Sequence, residues 1–167
     1  MKPKLNRVIL GIGSNLGDRS KYIELTKFKL IINKIKINRI SGHYESLSWP
    51  NPFMPKFINV VIEAFTFLSP FELLKITKMI EHELGRRNSK RNYPRTCDID
   101  IIDYSGDVLN NSRHSLVLPH PLMSKRNFVL IPLFEIDKKW KHPKLKTNII
   151  NLVNSLPLNH LRTIKKI

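Results

Sequence analysis

The chain has 167 residues, a length that fits one domain built around one hydrophobic core. Hydrophobic residues make up 41% of it, which excludes the composition of a disordered chain. The single cysteine, Cys97, excludes an internal disulfide framework and a cysteine-based zinc cluster. No run approaches the roughly 18 apolar residues of a membrane span, and residues 1–10 lack the pattern of a signal peptide. We therefore expect a single-domain cytoplasmic protein, with residues 1–167 in that domain and no contact with a membrane.

The chain is strongly basic, with a net charge of +16 and a pI near 10.2. One explanation is a polyanionic partner, either nucleic acid or a phosphorylated substrate. The other is a general bias in residue usage, since lysine, isoleucine and asparagine are frequent throughout the chain. The general bias does not explain why basic residues cluster just before two aspartates. The clustered residues are Arg86, Arg87, Lys90, Arg91 and Arg95.

The first part of the chain predicts a strand, a tight turn and a helix. Residues 7–12 form a short apolar run ended by glycine, which is typical of a buried strand, and residues 13–17 form the turn. Asp18 is expected to cap a helix over residues 19–35. Apolar residues that recur at helical spacing predict one buried face on this helix: Ile23, Leu25, Phe28, Ile31, Ile32 and Ile35.

Two further strands are predicted at residues 38–47 and 57–67, which are rich in β-branched and aromatic residues. The connection over residues 48–56 contains three prolines and is expected to be a long, exposed loop. Ser69 and Glu72 then form a capping box with Pro70 at the first helical position, so a helix should begin there and end at Leu84. Gly85 supplies the left-handed residue that stops it.

The last strand of the core is predicted at residues 96–104 and is followed by a turn at residues 105–107. Helical stretches follow near residues 124–135 and 148–156. The order strand, helix, strand, strand, helix, strand indicates an α+β fold with a ferredoxin-like βαββαβ core and a C-terminal helical extension. In such a fold, helices pack on one face of an antiparallel sheet, and we expect the other face to stay free for a site.

Asp98 and Asp100 are the strongest candidates for chemistry. The two-residue period of a strand sends both carboxylates to one face, while Cys97, Ile99 and Ile101 point to the other. Two carboxylates so close repel unless a cation lies near them. Mg²⁺ with phosphate oxygens is one solution, and the alternative is that both carboxylates are solvated or paired with the nearby arginines. The arginine cluster favours a site for phosphate transfer.

Two weaker candidates have structural alternatives. Gly11, Gly13 and Gly17 superficially resemble a dinucleotide fingerprint, but Leu16 stands where the third glycine should fall. The turn and the Asn15 side chain therefore approach a ligand, cap the following helix or serve structure alone. His120, which lies between two prolines, either contacts ATP or is an ordinary surface or core residue.

Six segments in this order and spacing resemble the 6-hydroxymethyl-7,8-dihydropterin pyrophosphokinase family. They are Gly13-Ser14-Asn15-Leu16-Gly17-Asp18, Phe57-Ile58-Asn59, Glu81 with Gly85-Arg86, Pro94-Arg95-Thr96-Cys97-Asp98-Ile99-Asp100-Ile101, Pro119-His120-Pro121 and Arg126-Asn127-Phe128. The match covers residues 7–135, and its fourth segment is highly specific. The resemblance implies transfer of pyrophosphate from ATP to the hydroxymethyl oxygen of the pterin, with release of AMP, on the route to folate.

The resemblance also implies roles for particular residues. Asp98 and Asp100 hold two magnesium ions, and Arg86 and Arg95 act with them in catalysis by clamping the phosphates. The implied pterin-binding residues are Ser46, Trp49, Phe57, Asn59 and Phe128, with the two phenylalanines stacked on the flat ring. The implied ATP-binding residues are Lys78, Arg86, Arg91, Arg95, Ile101, His120 and Arg126. Both partners are small molecules, and the protein is expected to act as a monomer.

Several positions depart from the common family pattern and affect the expected ATP contacts. Asn88 stands where a second arginine is frequent, Lys78 replaces a frequent glutamine, Asn92-Tyr93 replaces tryptophan-glycine, and Pro121 replaces an aromatic residue. The competing hypothesis is a basic nucleic-acid-binding module on a ferredoxin-like sheet. It lacks the exposed stacking aromatic residues beside glycines that an RNA-recognition sheet carries, so we expect no nucleic-acid partner.

Overall fold

The computed structural model describes residues 4–86, 93–111 and 116–167. The predictions for Arg87, Asn88, Lys90, Arg91 and Asn92 lie outside these residues. The strands are β1 (Asn6–Ser14), β2 (Lys36–Ile40), β3 (Tyr44–Ser46), β4 (Phe57–Thr66), β5 (Asp98–Tyr104), β6 (Leu109–Asn111), β7 (Leu116–Leu118) and β8 (Ile164–Lys166). The helices are α1 (Arg19–Ile32), α2 (Pro70–Glu83), α3 (Asn127–Ile136), α4 (Ile149–Asn154) and α5 (Leu158–Leu161), with a short 3₁₀ helix at Met123–Lys125.

The main sheet has the strand order β5-β1-β4-β3-β8, with β2 paired to the same edge of β4 as β3. All its pairings are antiparallel. The sequence β1-α1-β2/β3-β4-α2-β5 is the predicted ferredoxin-like βαββαβ core, which is therefore confirmed. The predicted single strand at residues 38–47 is instead two short strands, and β6, β7 and β8 were not predicted.

The capping residues act as the sequence indicates. The Asp18 carboxylate accepts a hydrogen bond from the Lys21 backbone N–H, and Ser69 and Glu72 form a complete capping box at the start of α2. Gly85 has a φ of +85°, the left-handed conformation that ends α2. These local signals position Arg86 directly after the end of the helix.

The predicted buried face of α1 is wrong in part. Phe28, Ile31 and Ile32 are 60%, 56% and 57% exposed, whereas the buried residues of the helix are Ile23, Thr26 and Leu30. The buried residues lie three or four positions apart on one side of the helix, and the exposed ones follow the same spacing on the other side. The helix rests on the sheet through a narrow stripe, so its second apolar side has no layer to pack against within the described residues.

The two faces of the sheet carry separate hydrophobic clusters. Val8, Leu10 and Ile12 of β1 pack toward α1 and α2, whereas Ile9 packs with Val61 toward α3 and α4. The expectation that one face stays free for a site is therefore wrong over this part of the sheet. The C-terminal extension covers it, because α3 is strongly apolar and needs a surface to bury. None of the described helices has the length and apolarity that crossing a bilayer requires.

Candidate active site

Asp98 and Asp100 lie side by side on β5, next to β1. Asp98 pairs with Gly13 and Asp100 with Gly11 in the antiparallel register. Both carboxylates line one pocket together with these glycines, while Ile99 is buried in the core on the other face. This is the alternation that the sequence predicts.

Gly13 lets two neighbouring side chains approach the strand closely. A Cβ atom at this position would lie 3.0 Å from Asn59 Oδ1 and 3.2 Å from Phe57 Cδ1. Any other residue would push against both side chains, which come from the adjacent strand β4. The glycines of β1 therefore provide space at the pocket rather than a phosphate-binding loop.

Each aspartate is paired with cationic side chains. Asp98 Oδ1 accepts a hydrogen bond from Arg86 Nη1 at 2.7 Å and lies 3.5 Å from Arg95 Nη1. Asp100 Oδ2 accepts from Arg126 Nη1 at 2.9 Å, and His120 Nε2 lies 3.9 Å away. In the protein alone, arginines thus offset the repulsion between the carboxylates. Burial works to lower the pKa of Arg86, but Asp98 and Glu81 outweigh it and the pKa is raised.

Glu81 is a buried acid beneath the aspartates, and its role was missed from the sequence. It lies on α2, is 2% exposed, and accepts a hydrogen bond from the Ile99 backbone N–H at 2.7 Å. It also pairs with Arg86 and, at 3.0 Å, with Lys78 Nζ. Burial raises the pKa of Glu81, although Lys78 and the Ile99 N–H act against it. Glu81 therefore links the backbone between the two aspartates to Arg86. The sequence did contain a signal for it, because Glu81 is a carboxylate next to Ile80 on the side of α2 that faces the core.

The predicted pterin-binding residues all meet in the same pocket. Its lining includes Ser46, Trp49, Phe57, Asn59 and Phe128 as well as both aspartates. Asn59 Nδ2 donates to Ser46 Oγ at 2.9 Å, which holds the amide at the pocket wall. The pocket thus joins an aromatic part to an acidic part.

Two arginines lie over the aromatic rings of this pocket and leave only about 60 Å³ of free volume in it. The Arg126 guanidinium carbon is 5.5 Å from the ring centres of both Trp49 and Phe128, and that of Arg95 is 5.9 Å from the centre of Phe57. Their buried Nε atoms have no hydrogen-bond partner among the described residues.

The remaining predicted ATP-binding residues do not all lie at the pocket. His120 Nε2 lies 3.4 Å from Arg126 Nη1, and its Nδ1 accepts from the Leu122 backbone N–H. Burial lowers the pKa of His120, Asp100 acts to raise it, and Arg126 adds to the lowering. Lys78 lies behind Glu81 rather than in the pocket lining, and the Ile101 side chain is buried in the opposite core. Arg91 lies outside the described residues.

Asn15 cross-links three segments rather than facing a ligand or capping α1. Its Oδ1 accepts from the Arg95 backbone N–H at 2.8 Å, and its Nδ2 donates to the Pro55 carbonyl at 3.0 Å. The Ser48 hydroxyl donates to the same carbonyl. The structural alternative for Asn15 therefore holds, and this residue ties the proline-rich loop to the segment before Asp98.

A ferredoxin-like sheet that presents paired carboxylates among guanidinium groups, next to an aromatic pocket, carries the kinds of groups that enzymes of phosphate transfer use. Comparison with known families names the particular one. Residues 9–138 match the model of 7,8-dihydro-6-hydroxymethylpterin-pyrophosphokinase (HPPK), and the chain belongs to this family.

Relatives from several organisms agree with this assignment. The chain is 40% identical to the 2-amino-4-hydroxy-6-hydroxymethyldihydropteridine pyrophosphokinase of Aquifex aeolicus over 136 residues, which is 81% of this chain and 83% of that protein. It is 38% identical to the Bacillus subtilis enzyme of the same name over 132 residues, 78% of each chain.

Longer proteins contain a similar segment. The Folic acid synthesis protein FOL1 of Dictyostelium discoideum is 40% identical over 152 residues, which cover 91% of this chain but only 23% of that protein. A crystal structure of Plasmodium falciparum HPPK-DHPS with pteroate superposes with a TM-score of 0.75 at 16% identity, over 99% of this chain and 47% of that one. The latter likeness shows the shared fold. The chain thus spans about a quarter of the Dictyostelium protein and half of the Plasmodium chain.

Proposed function

We propose that this chain transfers pyrophosphate from ATP to the hydroxymethyl group of 6-hydroxymethyl-7,8-dihydropterin and releases the pterin diphosphate and AMP. The observation that carries the proposal is the single pocket in which Asp98 and Asp100 meet Phe57, Asn59 and Phe128. A carboxylate pair beside arginines suits a triphosphate, and an aromatic wall with one amide suits a flat heterocycle. Membership of the HPPK family and the names of its relatives support the same reaction.

The residues present fit magnesium. Asp98 and Asp100 offer hard carboxylate oxygens on one strand face, and Mg²⁺ is typically bound by one or two carboxylates, water and substrate phosphates. The described residues contain no cluster of three or more metal-ligating side chains, so an all-protein cage is absent from that part of the chain. Asp98 and Asp100 would hold two magnesium ions, which supply charge neutralisation and orientation to the triphosphate when bound.

The arginines complete the phosphate site. Arg86, Arg95 and Arg126 each contact one of the two aspartates, so all three lie at the place where the triphosphate would bind. A guanidinium group binds phosphate oxygens through two parallel N–H donors. The Nε atoms of Arg95 and Arg126 are buried and have no acceptor among the described residues, so each of these two guanidinium groups keeps an unused N–H donor. Positioning and electrostatic stabilisation of this kind provide most of the catalysis in phosphate transfer.

The pterin would bind in the aromatic part of the pocket. Phe57 and Phe128 would stack on its faces, and Asn59 would hydrogen-bond its amide edge while held by Ser46. Trp49 is 42% exposed on the proline-rich loop, where a movement of the loop would close it over the ring and exclude water. Burial lowers the pKa of His120 and so favours its neutral ring, which would serve as a hydrogen-bonding group for ATP.

The proposal includes one pyrophosphokinase domain over residues 1–167 that acts as a cytoplasmic monomer on small molecules.

The test is the identity of the nucleotide product. Purified protein is incubated with ATP, Mg²⁺ and 6-hydroxymethyl-7,8-dihydropterin, and the nucleotides are separated by chromatography. The proposal predicts AMP and pterin diphosphate in equal amounts. Formation of ADP, or AMP that appears equally well without the pterin, would overturn it.

A further inference from the structure

The C-terminal residues 157–167 lie beyond the part of the chain that matches the family model, which ends at residue 138. They are nonetheless joined to the main sheet. Strand β8 pairs antiparallel with β3, with Ser46 opposite Ile164 and Tyr44 opposite Lys166. The Leu47 backbone N–H donates to the Thr163 carbonyl at 3.3 Å, just beyond the end of β3. These contacts place the C-terminal segment directly beside the strand that leads into the Trp49 loop.

Strand β3 depends on this neighbour because it is short. It has three residues, pairs with β4 on one side and with β8 on the other, and is followed immediately by the proline-rich loop. Without β8 it would be a three-residue edge strand, a kind of element that frays easily. Its last residue is Ser46, whose hydroxyl holds Asn59 in the pocket.

The same segment also holds the opposite wall of the pocket. Asn127 Nδ2 donates to the His160 carbonyl at 2.6 Å and to Thr163 Oγ1 at 3.1 Å. Thr163 Oγ1 in turn donates to the His160 carbonyl at 2.8 Å. The Asn127 Oδ1 atom accepts from the backbone N–H of Phe128, the aromatic residue that lines the pocket. The C-terminal segment therefore holds Asn127, the first residue of α3, and through it the backbone of Phe128.

We propose that residues 157–167 act as a C-terminal clasp that holds the Ser46–Trp49 wall and the Phe128 wall of the pocket at a set separation. Asn127 and Thr163 are then positioning residues that control pterin affinity without touching either substrate. The inference rests on the proposed function, because it assigns the aromatic part of the pocket to the pterin. It predicts a larger effect on the pterin than on ATP, since among the described residues no hydrogen bond or ion pair joins residues 157–167 to the two aspartates or to the arginines that pair with them.

The central variant is Asn127→Ala, compared with Thr163→Val, which keeps the side-chain shape and removes only the hydroxyl. Each loses hydrogen bonds of the clasp, so we expect the KM for the pterin to rise on the order of tenfold in Asn127→Ala and less in Thr163→Val. The KM for ATP should stay within about twofold. Lys165→Ala is the matched control, because its side chain lies on β8 and makes no recorded hydrogen bond or ion pair among the described residues.

A chain that ends after Thr163 removes β8 and should raise the pterin KM further. If that truncation fails to fold, the two point variants still decide the question. Loss of stability alone would lower kcat through a smaller active fraction and leave both KM values unchanged, and this result would overturn the clasp. Equal increases in the KM for ATP and pterin would overturn it too.

The outcome is separable from that of the proposed function. If the unmodified chain forms no AMP, the proposed function fails whatever the variants do. If the unmodified chain is active and Asn127→Ala has the same KM for the pterin as the unmodified chain, the clasp proposal is wrong and the proposed function stands. Titration of pterin fluorescence in the presence of a non-hydrolysable ATP analogue gives the same comparison as a dissociation constant, independent of turnover.

Discussion

At the scale of single residues, the site is a balance of partly buried charges. Asp98 is shared between Arg86 and Arg95, Asp100 is paired with Arg126, and Glu81 lies behind them on α2. Because each charge has a counterion, the site is stable without a ligand. The same pairs hold guanidinium groups next to the carboxylates, where a triphosphate would need them.

Replacement of either aspartate tests the assignment of the carboxylates. We expect Asp98→Asn and Asp100→Asn to lower the rate of AMP formation by roughly a hundredfold or more, because a neutral amide binds Mg²⁺ much more weakly than a carboxylate does. Circular dichroism should show an unchanged fold. Asp107→Asn, an exposed acid in the turn after β5, is the control and should keep full activity. Activity near that of the control in either site variant would contradict the proposed metal ligands.

Cys97 provides a second residue-scale prediction. It is buried beside Thr26, with 3.1 Å between Sγ and Oγ1, and burial raises the pKa of its thiol from 9.0 to about 12. The folded state therefore favours the protonated thiol, so this contribution to stability is complete below pH 9 and is lost as the pH rises toward 12. At pH 8 the folded protein should react with a thiol reagent at least roughly a hundredfold more slowly than the protein in denaturant. Equal rates in the two states would show that Cys97 is accessible.

At the scale of secondary-structure elements, the end of α2 sets the position of Arg86. Gly85 adopts a φ of +85°, and among the described residues the atom nearest to a Cβ placed there would be Thr96 Oγ1, at 3.9 Å. Space is thus available, and the backbone conformation alone demands glycine.

Two substitutions of Gly85 test whether the position requires glycine for its backbone conformation or for lack of space. Gly85→Ala should lower the free energy of unfolding by about 1 kcal/mol, because alanine is strained in the left-handed region. Gly85→Asn should cost less, since asparagine tolerates that region better. Chemical denaturation measures both. If alanine and asparagine were equally destabilising, the cost would come from something other than backbone conformation.

Sequence reasoning predicted the elements whose signals are local. The Asp18 cap, the Ser69–Glu72 capping box and the alternation of Asp98 and Asp100 each need only a few neighbouring residues. It did not predict β8, because three residues are too few to show a period. It also misjudged α1, because hydrophobic spacing cannot reveal that Phe28 and Ile31 lack a partner layer.

The contacts that assemble the site are non-local, and this explains what else was missed. Asn15 binds the backbone of Arg95 and Pro55, which are 80 and 40 positions away along the chain. Glu81 reaches the Ile99 N–H across 18 positions, from a helix to a strand. Such pairs follow from the packed fold. From one sequence, only the resemblance to a known family brought the pterin-binding residues together.

At the scale of the whole molecule, the charge of the chain is its most unusual property. The net charge of +16 leaves a strong positive field around the protein, although acids and bases are balanced within the site itself. A field of this kind attracts anions in solution and speeds their encounter with the protein. ATP is an anion, whereas the proposed pterin substrate is neutral.

The two substrates therefore provide an internal comparison for the effect of charge. We expect the association rate constant of a non-hydrolysable ATP analogue to fall about fivefold or more as the salt concentration rises from roughly 0.05 to 0.5 M, because the Debye length shortens over that range. The association rate constant of the pterin, measured with the analogue already bound, should change less than about twofold. Stopped-flow fluorescence can follow both reactions on the same protein.

The choice of salt provides the control for this experiment. Sodium chloride screens charge without binding the site strongly, whereas sulfate also competes with phosphate for arginine. If both salts lower the association rate constant of the ATP analogue equally at equal ionic strength, the effect is screening. A larger effect of sulfate would identify occupation of the guanidinium groups of Arg86, Arg95 and Arg126 instead. If salt slowed the neutral pterin as much as the nucleotide, the net charge would have no role in steering, and its origin would be the general bias toward basic residues in this chain.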